Sequence, residues 1–306
     1  MAMKFKRKES VRRGVKHLAC KRLGKALEHL RHCQELEAVH EVRKDIKQLR
    51  ALLRLVREAM PYSQYRFCSR RLRKAGAELG VARDAHVKLN ALRNLVSHYR
   101  SELPPASLAD LKRLLAADCR DQQSRLSVAH TPGKVRKILA DLCDDRRSFR
   151  IKCSGWAAIG PGIKRSYRCG RRAFKQARNT ERAEDFHEWR KRVKDLFYQI
   201  GLLKPIWPEQ LAAAEAELKH LGDYLGDDHD LVLLTEPGMA KRFRRRARAE
   251  ASELAQLVAR RQRELRDKAI ALGSRFYREK PSLFCKRLSQ YWAHWRDKSS
   301  RKPITA

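Results

Sequence analysis

Apolar residues recur at intervals of three and four positions along nearly the whole chain of 306 residues. This spacing places them on one face of an α-helix, and no segment shows the strict alternation of a half-buried β-strand. The pattern therefore predicts an all-α fold. The predicted helices cover about residues 10–34, 38–59, 62–78, 84–101, 106–127, 133–150, 162–179, 184–203, 209–224, 228–235, 239–272 and 281–297.

One stretch without charge interrupts this densely charged chain. It is CSGWAAIGPG, from Cys153 to Gly162, and it combines three Gly with one Pro. Gly and Pro commonly mark turns and linkers. We therefore expect a linker at 153–162, between a first helical half (1–152) and a second half (163–306), which together form one domain over about residues 10–297.

The chain repeats itself about halfway along. The segment VHEVRKDIKQLR (39–50) returns as FHEWRKRVKDLF (186–197), and LRKAGAELGVARDAHV (72–87) returns as LKHLGDYLGDDHDLVL (218–233). The shorter Gly14-Val15-Lys16 is echoed by Gly162-Ile163-Lys164 at nearly the same offset. The nearly constant offset between the copies predicts two homologous helical bundles in a pseudo-two-fold arrangement. This arrangement would bring equivalent helices face to face.

The charge is strongly unbalanced. There are 71 Lys plus Arg against 35 Asp plus Glu, a formal net charge of +36. Such an excess repels itself in a compact protein unless anions condense on it, so we expect a polyanionic partner. The eight cysteines show no CxxC pair or disulfide spacing, and no apolar run approaches the roughly 18 residues of a membrane span. These features predict a cytoplasmic protein with reduced thiols and no membrane partner.

Each copy of the repeat carries a basic helix face, which we call a stripe. The first stripe lies in the first copy. Six side chains fall within an arc of about 120° at about 100° per residue. They are His40, Arg43, Lys44, Lys47, Arg50 and Arg54. The opposite face is apolar and suits a bundle core; it consists of Val39, Val42, Ile46, Leu49, Leu53 and Val56. The second copy keeps His187, Arg190, Lys191 and Lys194 in the same arc and continues with Tyr198, while Phe197 and Gly201 replace Arg50 and Arg54.

A basic helix face is most simply a solvated surface. Here, however, like charges are stacked one turn apart, which destabilises a helix by a few tenths of a kcal/mol per pair, and both copies keep the arrangement. Phosphate oxygens would neutralise it, because Arg offers a planar fork of donors and Lys a point charge. We therefore predict a phosphate-type ligand.

The second repeated motif carries weaker candidates. Leu79 to Asp84 and Leu225 to Asp230 share the pattern Leu-Gly-x-x-[Arg/His]-Asp, which is typical of a helix that ends at Gly before a new helix with Asp as its N-cap. A helix N-terminus attracts anions. Four basic residues in or before the motif are predicted to extend the binding surface: Arg73, Arg83, Lys219 and His229.

Other functions fit these residues less well. A divalent metal at His40 or His187 is disfavoured by the cations that follow one turn later, and no cofactor is predicted. The acidic residues near the stripes, Glu41, Asp45 and Glu188, point away from the histidines and are expected to pair with neighbouring helices. No set of acid, base and nucleophile indicates an enzyme. RNA or DNA binding is the main alternative, although the stripes hold few aromatic residues for stacking.

The motifs VHEVRKDIKQLRALLRL, FHEWRKRVKDLFYQIGLL, LGVARDAHV and LGDDHDLVLL, in this order, resemble the CHAD family, the conserved-histidine α-helical domain. The resemblance extends from about residue 10 to 297. It implies two helical bundles around a basic central groove or pore that binds inorganic polyphosphate without cleaving it, often at polyphosphate granules. By position, the stripe residues from His40 to Arg50 and from His187 to Lys194 match the family motifs, and Phe197 departs from the basic residue frequent there.

Overall fold

A computed structural model describes residues 3–32, 36–79, 81–104, 108–128, 131–145, 148–246 and 248–297. Within these ranges the chain forms only helices, so the all-α prediction is confirmed. The α-helices are α1 (Val11–His29), α2 (Leu36–Leu55), α3 (Tyr62–Glu78), α4 (Val81–His98), α5 (Ala109–Val128), α6 (Thr131–Asp144), α7 (Gly155–Thr180), α8 (Ala183–Leu203), α9 (Pro208–Thr235), α10 (Pro237–Arg246), α11 (Arg248–Phe276) and α12 (Pro281–Arg296). Short 3-10 helices follow α1, α2 and α8 at Leu30–His32, Arg57–Ala59 and Lys204–Ile206.

Most of the uncharged stretch predicted as a linker is helical, while the division of the chain into two halves stays a prediction. Residues 155–162 form the first two turns of α7, so this helix begins seven residues before the predicted start at 162. The glycines allow close packing. A Cβ on Gly162 would lie 1.8 Å from the carbonyl oxygen of Leu55, and one on Gly160 would lie 2.5 Å from the indole nitrogen of Trp156. Gly162 therefore serves the contact between α7 and the end of α2, while Gly160 leaves space for the Trp156 ring of its own helix.

Helix α9 also differs from its prediction. The sequence predicts a break at Gly226 with a new helix from about residue 228, but α9 continues from Pro208 to Thr235. Asp230 therefore lies inside a helix and is not an N-cap. In the first copy of the motif α3 ends at Glu78 and α4 begins at Val81, so Asp84 lies in the first turn of α4 rather than before it. Gly80 lies outside the described residues.

The apolar face predicted for α2 is confirmed. Its six residues from Val39 to Val56 are all buried in the main core, which α1, α3, α6, α7, α8, α9 and α12 complete. A second, smaller core joins α4 and α5 to α10, α11 and the end of α9. Within the described ranges, no helix combines the length and the apolar character of a membrane span.

The two helices that carry the basic stripes touch each other. Helices α2 and α8 cross where the side-chain amide of Gln199 donates to the carbonyl oxygen of Ala51 at 3.0 Å. Nearby, Arg54 Nη1 lies 2.8 Å from Asp195 Oδ1. The two copies of the repeat therefore meet at their equivalent helices, while the pseudo-two-fold relation between the complete halves stays a prediction.

The acidic residues near the stripes divide into two groups. Asp45 is fully buried and pairs with α1, through Arg22 Nη1 at 2.7 Å and His29 Nδ1 at 3.0 Å, so its predicted pairing with a neighbouring helix is confirmed. For Glu41 and Glu188 that prediction is wrong. Both are partly exposed and pair with residues of their own helices at i+3 or i+4: Lys44 with Glu41, and Lys191 and Arg192 with Glu188.

Candidate anion-binding groove

A basic groove runs between α2, α3 and α8, and we call it the α2–α3–α8 groove. Its lining includes ten Lys or Arg residues and, within the described part of the chain, one carboxylate, Asp195. The cations are Lys47, Arg50 and Arg54 from α2, Arg66, Arg70 and Arg73 from α3, and Arg190, Lys191, Arg192 and Lys194 from α8. Seven of the fourteen residues that the sequence predicted for binding line this groove.

Helix α2 supplies the cations in the middle of the groove. Burial, followed by the repulsion of Arg54, lowers the pKa of Arg50 from its ordinary value. Arg54 pairs with Asp195. Burial raises the pKa of Asp195, and the positive charge of Arg54 acts against this shift. Asp195 and the two carboxylates beside the groove, Glu188 and Asp223, are far fewer than the ten cations, so a bound anion would relieve electrostatic repulsion.

Helix α3 contributes residues that the sequence analysis missed. Arg66, Arg70 and Arg73 follow one another at four- and three-residue spacing and line the groove together with Tyr62 and Tyr65. Only Arg73 was predicted. The helical spacing of 66, 70 and 73 is a usable signal in the sequence, but the repeat favours positions that have an equivalent in the other half. Arg50, Arg70 and Arg73 form no hydrogen bond or ion pair with another described residue.

Two cations of α8 pack against glycines of α9. A Cβ on Gly222 would lie 2.9 Å from Nζ of Lys194, and one on Gly226 would lie 3.3 Å from Nη2 of Arg190. Since four residues separate the two glycines, they share one face of α9 and leave space there for both side chains. Gly226 therefore makes room for a cation of the groove inside a continuous helix.

The charge of Lys194 is partly compensated. Its Nζ lies 3.4 Å from Asp223 Oδ1. Burial lowers the pKa of Lys194, and the negative charge of Asp223 acts against this shift. Lys219 is exposed outside the groove lining and lies 3.3 Å from the other oxygen of Asp223. Lys219 therefore supports the groove only through the carboxylate that it shares with Lys194.

The six-residue face predicted on α2 is divided among different surroundings. Arg43 Nη1 donates to the carbonyl oxygen of Gly76 at 3.1 Å and so ties α2 to α3. Lys44 pairs with Glu41 and lines a separate pocket beside α1. His40 lines a third pocket, between α2, α4, α9 and α11. An arc of about 120° is wide enough to meet several helices, so only its C-terminal part, from Lys47, reaches the groove.

The histidine of the second stripe contacts the histidine of the second motif. The rings of His187 and His229 are in contact in a tilted arrangement, with centroids 3.9 Å apart and an interplanar angle of 34°. Burial and then the positive charges of Lys191 and Arg190 lower the pKa of His187. His187 lies one turn before the first α8 cation of the groove, Arg190. The side chain of Arg83 lies outside the described residues.

The basic surface continues past the end of the groove. Beyond Arg54 and Arg192 a second depression is lined by Arg57 and Arg165, neither of which was predicted. Arg165 donates to the carbonyl oxygen of Arg54 at 3.0 Å and pairs with Glu58. In the described ranges, no three His, Cys, Asp or Glu side chains are grouped so that they could hold a metal ion.

Comparison with known proteins identifies a family and solved structures that are similar to this chain. The family model of the CHAD domain matches residues 18–237. Among solved structures, the crystal structure of the CHAD domain from the plant Ricinus communis superposes with a TM-score of 0.57 at 14% identity, covering 87% of this chain and 89% of that chain. PptA from Streptomyces chartreusis gives a TM-score of 0.57 at 15% identity, covering 87% of this chain and 98% of its own. No curated protein sequence matches the chain.

Proposed function

This chain belongs to the CHAD domain family, and from that premise we propose that its α2–α3–α8 groove binds inorganic polyphosphate without cleaving it. One observation carries the proposal, namely the ten cations and single carboxylate that line the groove. Arg50, Arg70 and Arg73 in particular are free to donate to phosphate oxygens, because no described residue pairs with them. Charge-assisted hydrogen bonds from Arg to phosphate are among the strongest polar contacts that a protein makes.

A bare phosphate chain suits this groove better than a nucleic acid does. Single-strand binders stack successive bases on a series of exposed aromatic rings. The groove contains three tyrosines, more than the stripes alone indicated, but they differ in exposure. Tyr65 and Tyr198 are only partly exposed, and burial raises the pKa of Tyr198 to about 12. Only Tyr62 presents an open ring, so the groove provides many phosphate contacts and one stacking position.

The first test is selectivity. We expect long-chain polyphosphate to bind at least about tenfold more tightly than single-stranded DNA or RNA of equal charge. The bases and sugars of a nucleic acid space its phosphates further apart, and losing one charge-assisted contact costs about 1.5 kcal/mol, or tenfold in affinity. Calorimetric titrations at two salt concentrations measure the difference. Equal or tighter binding of nucleic acid at near-physiological salt would contradict polyphosphate as the ligand and favour RNA or DNA.

The second test concerns catalysis. Enzymes that cleave polyphosphate hold Mg²⁺ on carboxylates among the phosphate-binding cations. Asp195, the one carboxylate of the groove lining, is already paired with Arg54. We therefore expect polyphosphate incubated with the protein and Mg²⁺ to keep its length distribution on a gel. Orthophosphate release that persists through further purification, and that disappears when the cations of the groove are replaced, would overturn the non-catalytic part of the proposal.

Association with polyphosphate granules follows from the same ligand. Granules present a dense surface of phosphate chains, and a groove open to solvent can bind a segment of a chain whose ends lie elsewhere. Family membership supports this role as well. We propose that the protein attaches to such granules through the α2–α3–α8 groove.

A further inference from the structure

One aromatic side chain of the groove remains unexplained by a ligand made only of phosphate. Tyr62 is the first residue of α3, and it lines the groove at the N-terminal end of that helix. It is 65% exposed, more than any other large apolar residue in the described part of the chain. Such a ring contributes little to the core, and most of its surface is accessible to a ligand beside the Arg66 guanidinium.

The cations of α3 continue from this ring along the groove. With a rise of 1.5 Å per residue, Tyr62 and Arg73 are about 16 Å apart along the helix axis, and Arg66 and Arg70 lie between them. The guanidinium of Arg66 is 5.7 Å from the centre of the Tyr62 ring. A planar group on Tyr62 would therefore be attached immediately beside the first of a series of phosphate-binding residues.

We propose that Tyr62 is a stacking position for one nucleobase, and that the groove accepts a nucleoside polyphosphate with its base on Tyr62 and its phosphates on Arg66, Arg70 and Arg50. This inference rests on the proposed function, because it uses the same cations. It adds a position that recognises the base. Tyr62 is the one open ring in the groove lining, so the structure favours a ligand with a single base over a strand with a base on every phosphate.

The test compares two ligands that differ in the nucleoside, ATP and inorganic tripolyphosphate, by calorimetry at the same salt concentration. Replacing Tyr62→Leu should weaken ATP binding about fivefold or more, since base stacking on an aromatic ring contributes that much or more by substitution. It should leave tripolyphosphate binding unchanged. Tyr62→Phe keeps the ring and should keep the affinity for ATP.

Phe67→Leu provides the matched control. Phe67 is also on α3 and is 39% exposed, but it lines a different pocket, beside Pro61 and Ile151. Its replacement should change neither affinity. If Tyr62→Leu leaves ATP binding unchanged, or weakens ATP and tripolyphosphate equally, the stacking position is refuted while the proposed function stands. If the parent protein binds neither long-chain polyphosphate nor tripolyphosphate, the proposed function fails and this inference fails with it.

Discussion

Replacing Arg50, Arg70 and Arg73 together with Gln is expected to weaken the binding of long-chain polyphosphate at least about a hundredfold. These residues line the groove from α2 and α3 and have no described partner to hold them away from a ligand. Each charge-assisted contact to phosphate contributes about 1.5 to 3 kcal/mol, so partial loss of three contacts removes at least about 2.7 kcal/mol. Calorimetric titration measures the change, with circular dichroism to verify that the variant is folded.

A second triple variant separates local contacts from total charge. Lys134, Arg136 and Lys137 lie on exposed positions of α6 and are not part of the groove lining. Replacing them with Gln removes the same three charges. At physiological salt the screening length is about 8 Å, so this variant should lose no more than about threefold in affinity. Equal losses in the two variants would contradict the groove and indicate non-specific attraction to the whole basic surface.

The stoichiometry of the groove variant tests whether the two halves of the chain act on one ligand. Cations of the first half, on α2 and α3, line the same groove as cations of the second half, on α8. One polyphosphate chain should therefore contact both, and the variant should lose affinity at unchanged stoichiometry. Half the stoichiometry at parental affinity would instead show that the halves bind independently.

The sequence predicted the helices that carry the site better than it predicted the site itself. The helical spacing of apolar residues along α2 predicts burial directly, because each of the six apolar positions contacts the core. The helical spacing of basic residues shows only that they share one face of the helix. Which part of that face reaches a ligand depends on the neighbouring helices, and these direct Arg43 to a carbonyl of α3 and Lys44 to a pocket beside α1. That information lies in the tertiary packing.

Two of the errors in helix boundaries, at the start of α7 and within α9, occur at glycines for a related reason. Gly at a chain position favours a turn when only local preferences are considered. At Gly162 and Gly226 the deciding contact comes from another helix, the Leu55 carbonyl in one case and the Arg190 side chain in the other. The repeat contained a hint, because Gly226 belongs to a motif copied in both halves, but no local pattern distinguishes a glycine that ends a helix from one that admits a neighbour.

The largest expected effect on stability is at Asp45, which lies on α2 between Arg43 and Lys47. Its side chain is fully buried, 2.7 Å from Arg22, which is itself only 8% exposed, and 3.0 Å from His29. Asp45→Asn removes the buried negative charge that Arg22 and His29 both contact. Breaking a buried pair in this way costs about 3 to 5 kcal/mol in the free energy of unfolding. Chemical denaturation with urea measures the difference.

Two comparisons attribute this loss to the buried pair. Glu41→Gln, one turn earlier on α2, breaks a partly exposed pair with Lys44 and should cost about 1 kcal/mol or less. The double variant Arg22→Met with Asp45→Leu removes both charges and should recover most of the stability that Asp45→Asn loses, because apolar side chains replace both members of the buried pair. Since the Asp45 side chain lies outside the groove lining, the folded fraction of Asp45→Asn should bind polyphosphate with parental affinity. A loss below about 1 kcal/mol for Asp45→Asn would show that water or a rearranged side chain compensates Arg22, and that the link from α1 to α2 is held by apolar packing alone.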